Sequence, residues 1–220
     1  MEAVHCPDAK QSMYCHLLCG LINRGIVDHV GGAFANGFVK GIRFLEEKWE
    51  EMCSNIRTGH LSDWITHAPL RDAIAQRYLQ QPDPALADEI LSECAGRPWD
   101  GILRRLWPGA RYILTIATGS MAQYVPMLES YGAGLPIVSP MYVSTECAAG
   151  VNLNPLDPPS CVSYALLPNI AYYEFAEVKR GGDDGKVQGT TDDSGGIKLV
   201  DLMGVKIGRC YELVVTTFAG

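Results

Sequence analysis

The sequence predicts an α/β fold in which a helical first half gives way to a parallel or mixed sheet. Three observations carry this expectation. Apolar residues recur at the three-and-four spacing of helices between Gln11 and Ile56. Two short apolar runs, Tyr112–Ala117 and Leu135–Met141, flank a helical stretch and give the strand, helix, strand order of a parallel sheet. Later runs over Ser163–Leu167, Ala171–Val178 and Cys210–Phe218 are rich in β-branched and aromatic residues.

The first helix is expected over Gln11–Ile22, with Met13, Leu17, Leu18 and Leu21 on its buried face. The second runs from Phe38 to Ile56 along Phe38, Ile42, Leu45, Trp49, Cys53 and Ile56, and Gly59 suits its stop. Glu46, Glu47, Lys48, Glu50 and Glu51 fall mainly off that stripe and read as a solvated face. A third helix spans Leu70–Leu79. Asp83-Pro84 places a cap and a first-turn proline before a fourth helix reaching about Cys94, with Gly96 just past its end. Asp100 is expected to cap a short helix that reaches Trp107 and closes at Pro108-Gly109. After the Tyr112–Ala117 strand, Ser120 and Gln123 are spaced as a capping box for a helix to Tyr131. Pro126 would kink or restart its first turn, and Gly132 and Gly134 end it. Pro168-Asn169 turns between the Ser163–Leu167 and Ala171–Val178 strands. Residues 180–196, rich in Gly, Asp, Ser and Thr, read as a mobile surface loop. The last strand ends on two hydroxyls, Thr216 and Thr217. No internal repeat and no linker between autonomous domains is visible.

At 220 residues and 47% hydrophobic, the chain can bury a core as one domain or as part of a larger one. A net charge of -7 argues against a nucleic-acid partner, whose phosphates call for basic patches. No run approaches the roughly 20 apolar residues of a membrane span. Residues Met1 to Asp8 lack the charged and apolar regions of a secretion signal, so the expected location is the cytoplasm. Eight cysteines include no CxxC pair, although Cys15 and Cys19 sit four apart on a helical face. With no histidine at ligand spacing, they read as buried free thiols, and no Cys/His metal site is expected. Oligomeric state is not legible.

The stretch richest in chemistry is Met141-Tyr-Val-Ser-Thr-Glu-Cys147, an apolar run delivering two hydroxyls and a carboxylate. Ligands of parallel sheets bind beyond the carboxyl ends of their strands. There Ser144 and Thr145 suit phosphate oxygens, and Glu146 suits a bridging magnesium ion. The competing reading is a turn or helix cap, since these residue types also satisfy free backbone donors. No Ser–His–Asp arrangement supports a hydrolase.

Several stretches resemble the plant auxin-responsive acyl-acid amido synthetases: Thr118-Gly-Ser-Met-Ala-Gln-Tyr-Val-Pro-Met-Leu128, Met141–Cys147, Gly150-Val-Asn-Leu-Asn-Pro155 and Leu167-Pro-Asn-Ile-Ala-Tyr-Tyr-Glu-Phe175. Gln11-Ser-Met-Tyr-Cys15, Asn55-Ile-Arg-Thr-Gly59 and the closing Tyr211–Gly220 fit the same pattern, so the similarity spans nearly the whole chain in order. That family belongs to the firefly-luciferase-like adenylating superfamily. The resemblance implies a helical first half and part of the sheet of the large N-terminal domain of adenylate-forming enzymes. It implies ATP- and magnesium-dependent activation of a small carboxylic acid, followed by amide formation with an amino acid.

On the same resemblance, Ser144, Thr145 and Glu146 are the catalytic residues, with Glu146 on magnesium. Cys147 and Ala148 would lie along the nucleotide, Met141 and Val143 would face the acyl group, and Gly119 and Ser120 would wall its pocket. Cys147 resembles the auxin-conjugating branch, which makes indole-3-acetic acid the first expected substrate and jasmonate or a benzoate the alternatives. Ala148-Ala149 replaces a larger aromatic pair, Val143 a usual alanine, and Thr145 a usual serine. The family's phosphate loop would precede Met1, and its ribose-binding aspartate and C-terminal domain would follow Gly220. The chain is therefore expected to be a central part, 1–220, of the large adenylating domain. The alternative is a non-catalytic remnant that binds a small acid or a nucleotide, or pairs with a full-length relative. Incubated alone with ATP, magnesium, indole-3-acetic acid and amino acids, the chain should form little or no conjugate by mass spectrometry; ready ATP-dependent conjugation would refute this.

Overall fold

Asp8 opens the first helix, its carboxylate accepting from the backbone N–H groups of Lys10 and Gln11 in a computed structural model that describes residues 2–180, 187–189 and 197–218. Helix α1 runs Ala9–Ile22 and buries Gln11, Tyr14, Cys15, Leu18 and Leu21. Met13 and Leu17, expected on the buried face, are only half-buried. The stripe is rotated because two polar residues on it are satisfied inside. The Tyr14 hydroxyl donates to Asn55 Oδ1 at 2.6 Å, and Gln11 Oε1 accepts from the N–H groups of Thr66 and His67 at 2.9 and 3.0 Å.

Strand β1, His29–Phe34, has no counterpart in the expected elements. Its glycine pair hides it from propensity, yet one of those glycines is obligatory. A Cβ at Gly31 would lie 1.9 Å from the carbonyl oxygen of Leu114 on the neighbouring strand. Helix α2, Ala35–Thr58, follows at once and buries Val39, Ile42, Leu45, Met52, Cys53 and Ile56. It stops at Gly59, whose φ of 71° is left-handed and whose N–H bonds to Asn55 O. Helices α3, Ala68–Arg77, and α4, Pro84–Cys94, come next; Asp83 caps α4 by accepting from Leu86 N–H at 3.0 Å. Helix α5, Ile102–Leu106, is not capped by Asp100. Gly101, at φ 70°, occupies the cap, and the Asp100 carboxylate accepts instead from the Ser130 hydroxyl.

Strand β2, Tyr112–Ile116, pairs in parallel with β1 and with β3, Ile137–Val138, giving the order β1-β2-β3. Between them lie a 3-10 turn, Gly119–Tyr124, and helix α6, Val125–Gly132. The expected capping box does not form, and the Gln123 amide donates to the Ser120 carbonyl. Pro126 sits in the first turn of α6, where its missing N–H is no loss.

The chain divides into two compact units, Met1–Pro140 with Asn154–Val162, and Met141–Leu153 with Ser163–Gly220. Leu135–Met141 is therefore not one strand. Pro140, with no N–H to offer a ladder, separates β3 from β4, Met141–Val143. In the second unit β4, β5 (Ala148–Asn152) and β6 (Tyr164–Leu166) form an antiparallel sheet. A second antiparallel sheet centres on β7, Tyr172–Arg180, paired with β10, Cys210–Thr216, and with β8 (Val187–Gly189) and β9 (Leu199–Asp201). Of the expected loop at 180–196, Arg180 belongs to β7 and residues 187–189 to β8; the remainder lies outside the described residues. Ala149, Tyr173 and Phe175 form this unit's small core, with Tyr211, Leu213 and Val215 of β10 alternating inward against it.

The close approach at Gly31 sets a test. Gly31→Ala should destabilise the first unit by roughly 2–3 kcal/mol or prevent its folding, measured by urea unfolding. A change below about 0.5 kcal/mol would mean that β1 does not lie against β2 in this register.

Candidate functional site

The Ser144–Cys147 turn joins β4 to β5, and its backbone is closed by Ser144 N–H donating to Cys147 O at 3.0 Å. The β4–β5 register shifts between Tyr142 and Val143, so the strand is irregular where it enters the turn. The Ser144 hydroxyl oxygen accepts from the N–H groups of Glu146 at 3.2 Å and Cys147 at 3.4 Å, bracing the turn from inside. The Thr145 hydroxyl donates to Glu146 Oε1. Glu146 is exposed, and the hydroxyls of Ser144 and then Thr145 hold its carboxyl below its ordinary pKa. The expected setting, the carboxyl end of a parallel strand, is thus replaced by an antiparallel hairpin. The three residues are nonetheless brought together.

Ser144 and Glu146 stand at the rim of a cleft of about 250 Å³ within the second unit, which Thr145 does not line. Its rim is polar, with Ser144 and Glu146. Val143 and Ala149 from the hairpin and Leu213 and Val215 from β10 supply its apolar side chains, although the exposed lining as a whole is more polar than apolar. Tyr142 also lines it; this ring is 44% exposed and stacks on Tyr164 with centroids 5.9 Å apart and planes at 27°. Gly150, paired with Tyr142 across the ladder, leaves the face beneath that ring clear: a Cβ there would come within 3.1 Å of Tyr164 Cβ.

Not every expected site residue lines this cleft. Met141 pairs with Val151 and Ala148 with Val143, both half-buried, and Cys147 packs against the core of the unit. Gly119 and Ser120 belong to the first unit, exposed at the start of its 3-10 turn. Sequence reasoning missed Tyr142, Leu213 and Val215. The alternation of Cys210–Phe218 was the available signal for the last two, because every second residue of a half-buried strand faces the core.

Nucleophilic cysteine chemistry finds no support among the buried thiols. Burial pushes Cys15 and Cys94 up to about 12 and Cys19 and Cys53 up to about 11, so these stay protonated at neutral pH. Cys161 and Cys210 are exposed, against the expectation of buried thiols: Cys210 takes an outward position of β10, and Cys161 lies in the 154–162 stretch of the first unit, outside any strand. Among the described residues, no cluster of three or more His, Cys, Asp or Glu could hold a metal ion. Glu146 is a single carboxylate, which suits a magnesium ion arriving on phosphates rather than one held by the protein alone. A larger cavity of about 340 Å³ lies in the first unit between α1, β1 and α2. Its polar side chains, Ser12 and His16, already bond to the carbonyls of Ala3 and Ser12, so it offers no such convergence of polar groups.

The GH3 family N-terminal domain matches residues 1–137, and the GH3 family central domain matches residues 164–220. The chain belongs to the GH3 family. Among its relatives, the probable indole-3-acetic acid-amido synthetase GH3.7 of Oryza sativa subsp. japonica is 69% identical over 223 residues, covering 100% of this chain and 36% of that protein. Indole-3-acetic acid-amido synthetase GH3.17 of Arabidopsis thaliana is 49% identical over 226 residues, with 100% and 37% covered. The solved structure of GH3.15 acyl acid amido synthetase superposes with a TM-score of 0.86 at 50% identity, over 98% of this chain and 36% of that one. This GH3 chain thus spans little more than a third of the proteins it matches. Its fold is that of a mixed α/β part of a GH3 enzyme, as the resemblance implied.

Two outcomes are expected in the second unit. By NMR titration, Ser144→Ala should raise the Glu146 pKa toward the ordinary carboxylate value. The lowered value favours the ionised form, so any linked stability is present at neutral pH and lost as pH falls through that value. An unmoved titration would show that the hydroxyl does not act on the carboxylate. The Tyr173 hydroxyl is buried beside the Cys147 thiol without a hydrogen-bond partner of good geometry among the described residues. Tyr173→Phe should therefore be neutral or mildly stabilising in thermal melts, and a loss of more than about 1 kcal/mol would reveal a bond there.

Proposed function

We propose that this chain is the central part, 1–220, of an ATP-dependent ligase that joins indole-3-acetic acid to an amino acid through an acyl-adenylate. The observation that carries the reading is the Ser144-Thr145-Glu146 turn, whose Ser144 and ionised Glu146 stand at the rim of a cleft. Identity of 69% to a probable indole-3-acetic acid-amido synthetase over the full chain supports the choice of reaction and acid.

A carboxylate acylates poorly because oxide is a poor leaving group. Its attack on the α-phosphorus of ATP expels pyrophosphate and leaves an acyl–AMP anhydride. The amino group of the second substrate then attacks the acyl carbon, AMP departs, and a proton leaves the new amide nitrogen. The protein's task is to hold two anions in line and to offset their repulsion. Ser144 suits the phosphate region because its hydroxyl oxygen is fixed by two backbone N–H groups and its own proton can turn to an anionic oxygen; Thr145 would do the same on releasing Glu146. Glu146 would hold magnesium, which supplies charge neutralisation on the phosphates when bound. Tyr142 offers an exposed ring against which a nucleobase can lie. Cys147 and Ala148 follow along the nucleotide, and Met141 and Val143 take the acyl side. Among the described residues no helix is long and apolar enough to cross a membrane. With the net charge of -7, this suits a cytoplasmic enzyme acting on small acids and amino acids rather than on nucleic acid.

The test is a chimera in which this chain replaces the matched stretch of the rice relative. It should form indole-3-acetyl–amino-acid conjugates with ATP and magnesium, and Glu146→Ala within it should slow turnover by roughly 100-fold. A folded chimera without conjugate formation would refute the proposal.

A further inference from the structure

We propose that the cavity between α1, β1 and α2 is a further binding site, one that takes a small, uncharged, flat aromatic molecule carrying a single O–H or N–H donor. It lies wholly in the first unit and does not rest on the Ser144–Glu146 turn.

The glycines of α2 show why the space stays open. Gly37 and Gly41 lie one turn apart on that helix, and both line the cavity. A Cβ added at either would meet no atom within 4 Å, and neither has a positive φ. Neither packing nor backbone angle therefore calls for glycine there, although glycine weakens a helix relative to alanine. What the pair does is hold bare backbone against a cavity of about 340 Å³, within the size range of small-molecule sites. Gly31 and Gly32 of β1 add more bare backbone. Trp107, just past α5, lines the cavity with a ring that is fixed before any ligand arrives. It is buried, its Nε1–H donates to Gly20 O at 2.8 Å, and a Cβ at Gly20 would already touch it at 3.6 Å.

The lining selects the class of ligand. No Lys, Arg, Asp or Glu takes part in it, so a charged molecule would lose its water without gaining a counter-ion. Phe38 and Trp107 offer aromatic surfaces and Met13 a polarisable sulfur, which together with flat glycine backbone suit a ring better than a branched chain. The Ser12 hydroxyl is committed, donating to Ala3 O at 2.7 Å. His16 is not. Its Nδ1 lies 2.9 Å from Ser12 O and carries the proton of that bond, which makes Nε2 an acceptor in the neutral ring. Nε2 has no partner among the described residues, and His16 is an exposed residue of the lining. One donor on an otherwise apolar ring complements that arrangement.

The experiment is calorimetric titration of 2-naphthol and of 2-naphthoate into the 220-residue chain. 2-Naphthol should bind saturably below about 1 mM, and 2-naphthoate, the same ring with a carboxylate, at least about tenfold more weakly. Gly41→Leu, which fills the cavity from α2, should abolish 2-naphthol binding while melting stays cooperative at an unchanged or raised Tm, because leucine is the better helix former. His16→Ala should weaken 2-naphthol about tenfold. Absence of saturable 2-naphthol binding overturns the inference, as does binding that survives in folded Gly41→Leu. Equal affinity for the two probes overturns the uncharged class, and an unmoved affinity in His16→Ala overturns the partner assigned to the donor. Should Gly41→Leu fail to fold, Gly37→Leu, one turn away and exposed, decides by the same readings.

Discussion

The arrangement of the site depends on how the chain leaves the parallel sheet at Ser139-Pro140. Strand β3 is only two residues long, and the next group on the edge of β2, the N–H of Ala117, is met by the buried Ser139 hydroxyl at 3.2 Å rather than by a backbone carbonyl. A side chain thus terminates the ladder without leaving a buried donor unpaired. Pro140 then withholds the N–H that would have continued it. Released from that sheet, Met141–Val143 can turn back on itself, and the turn it makes carries the hydroxyls and carboxylate on which the proposed chemistry rests.

The same hydroxyls serve structure and charge together. Ser144 accepts two backbone N–H groups, so its position is set by folding before any ligand arrives. Ser144 and Thr145 also favour the ionised form of Glu146. A turn brace and a binding group are usually weighed as rival explanations for a Ser-Thr-Glu sequence. In the proposed site the first would supply the preorganisation that the second requires, since groups already held in place lose little freedom on binding.

Where the sequence was legible, one dominant force decided the local structure. The α2 stripe, the Asp83 cap with Pro84, and the left-handed stop at Gly59 all follow from burial, from a lone donor, or from a backbone angle that glycine tolerates best. Where it was misread, a tertiary partner overrode the local signal. Gln11 and Tyr14 count as polar in a periodicity search but are satisfied by Thr66, His67 and Asn55, far along the chain. Gly31 counts as a strand breaker but is required by its neighbour's carbonyl. Asp100 is a good cap residue drawn away by Ser130. At the site, the turn was legible as residue types at the right spacing. Its antiparallel setting was not, nor was the placing of Leu213 and Val215 beside it: alternation gives their inward side, but their meeting with the turn follows from pairings that no local stretch encodes.

The division of the chain bears on how such a protein can be inherited. The backbone crosses from one unit to the other three times, after Pro140, after Leu153 and after Val162. The two units are therefore threaded through each other in sequence rather than strung in tandem. No single recombination point can part the two cleanly: wherever the break falls, at least one unit is cut. Gene rearrangements that shuffle tandem modules freely are closed to this pair, and substitutions within each unit are left as the main route by which its site can diverge.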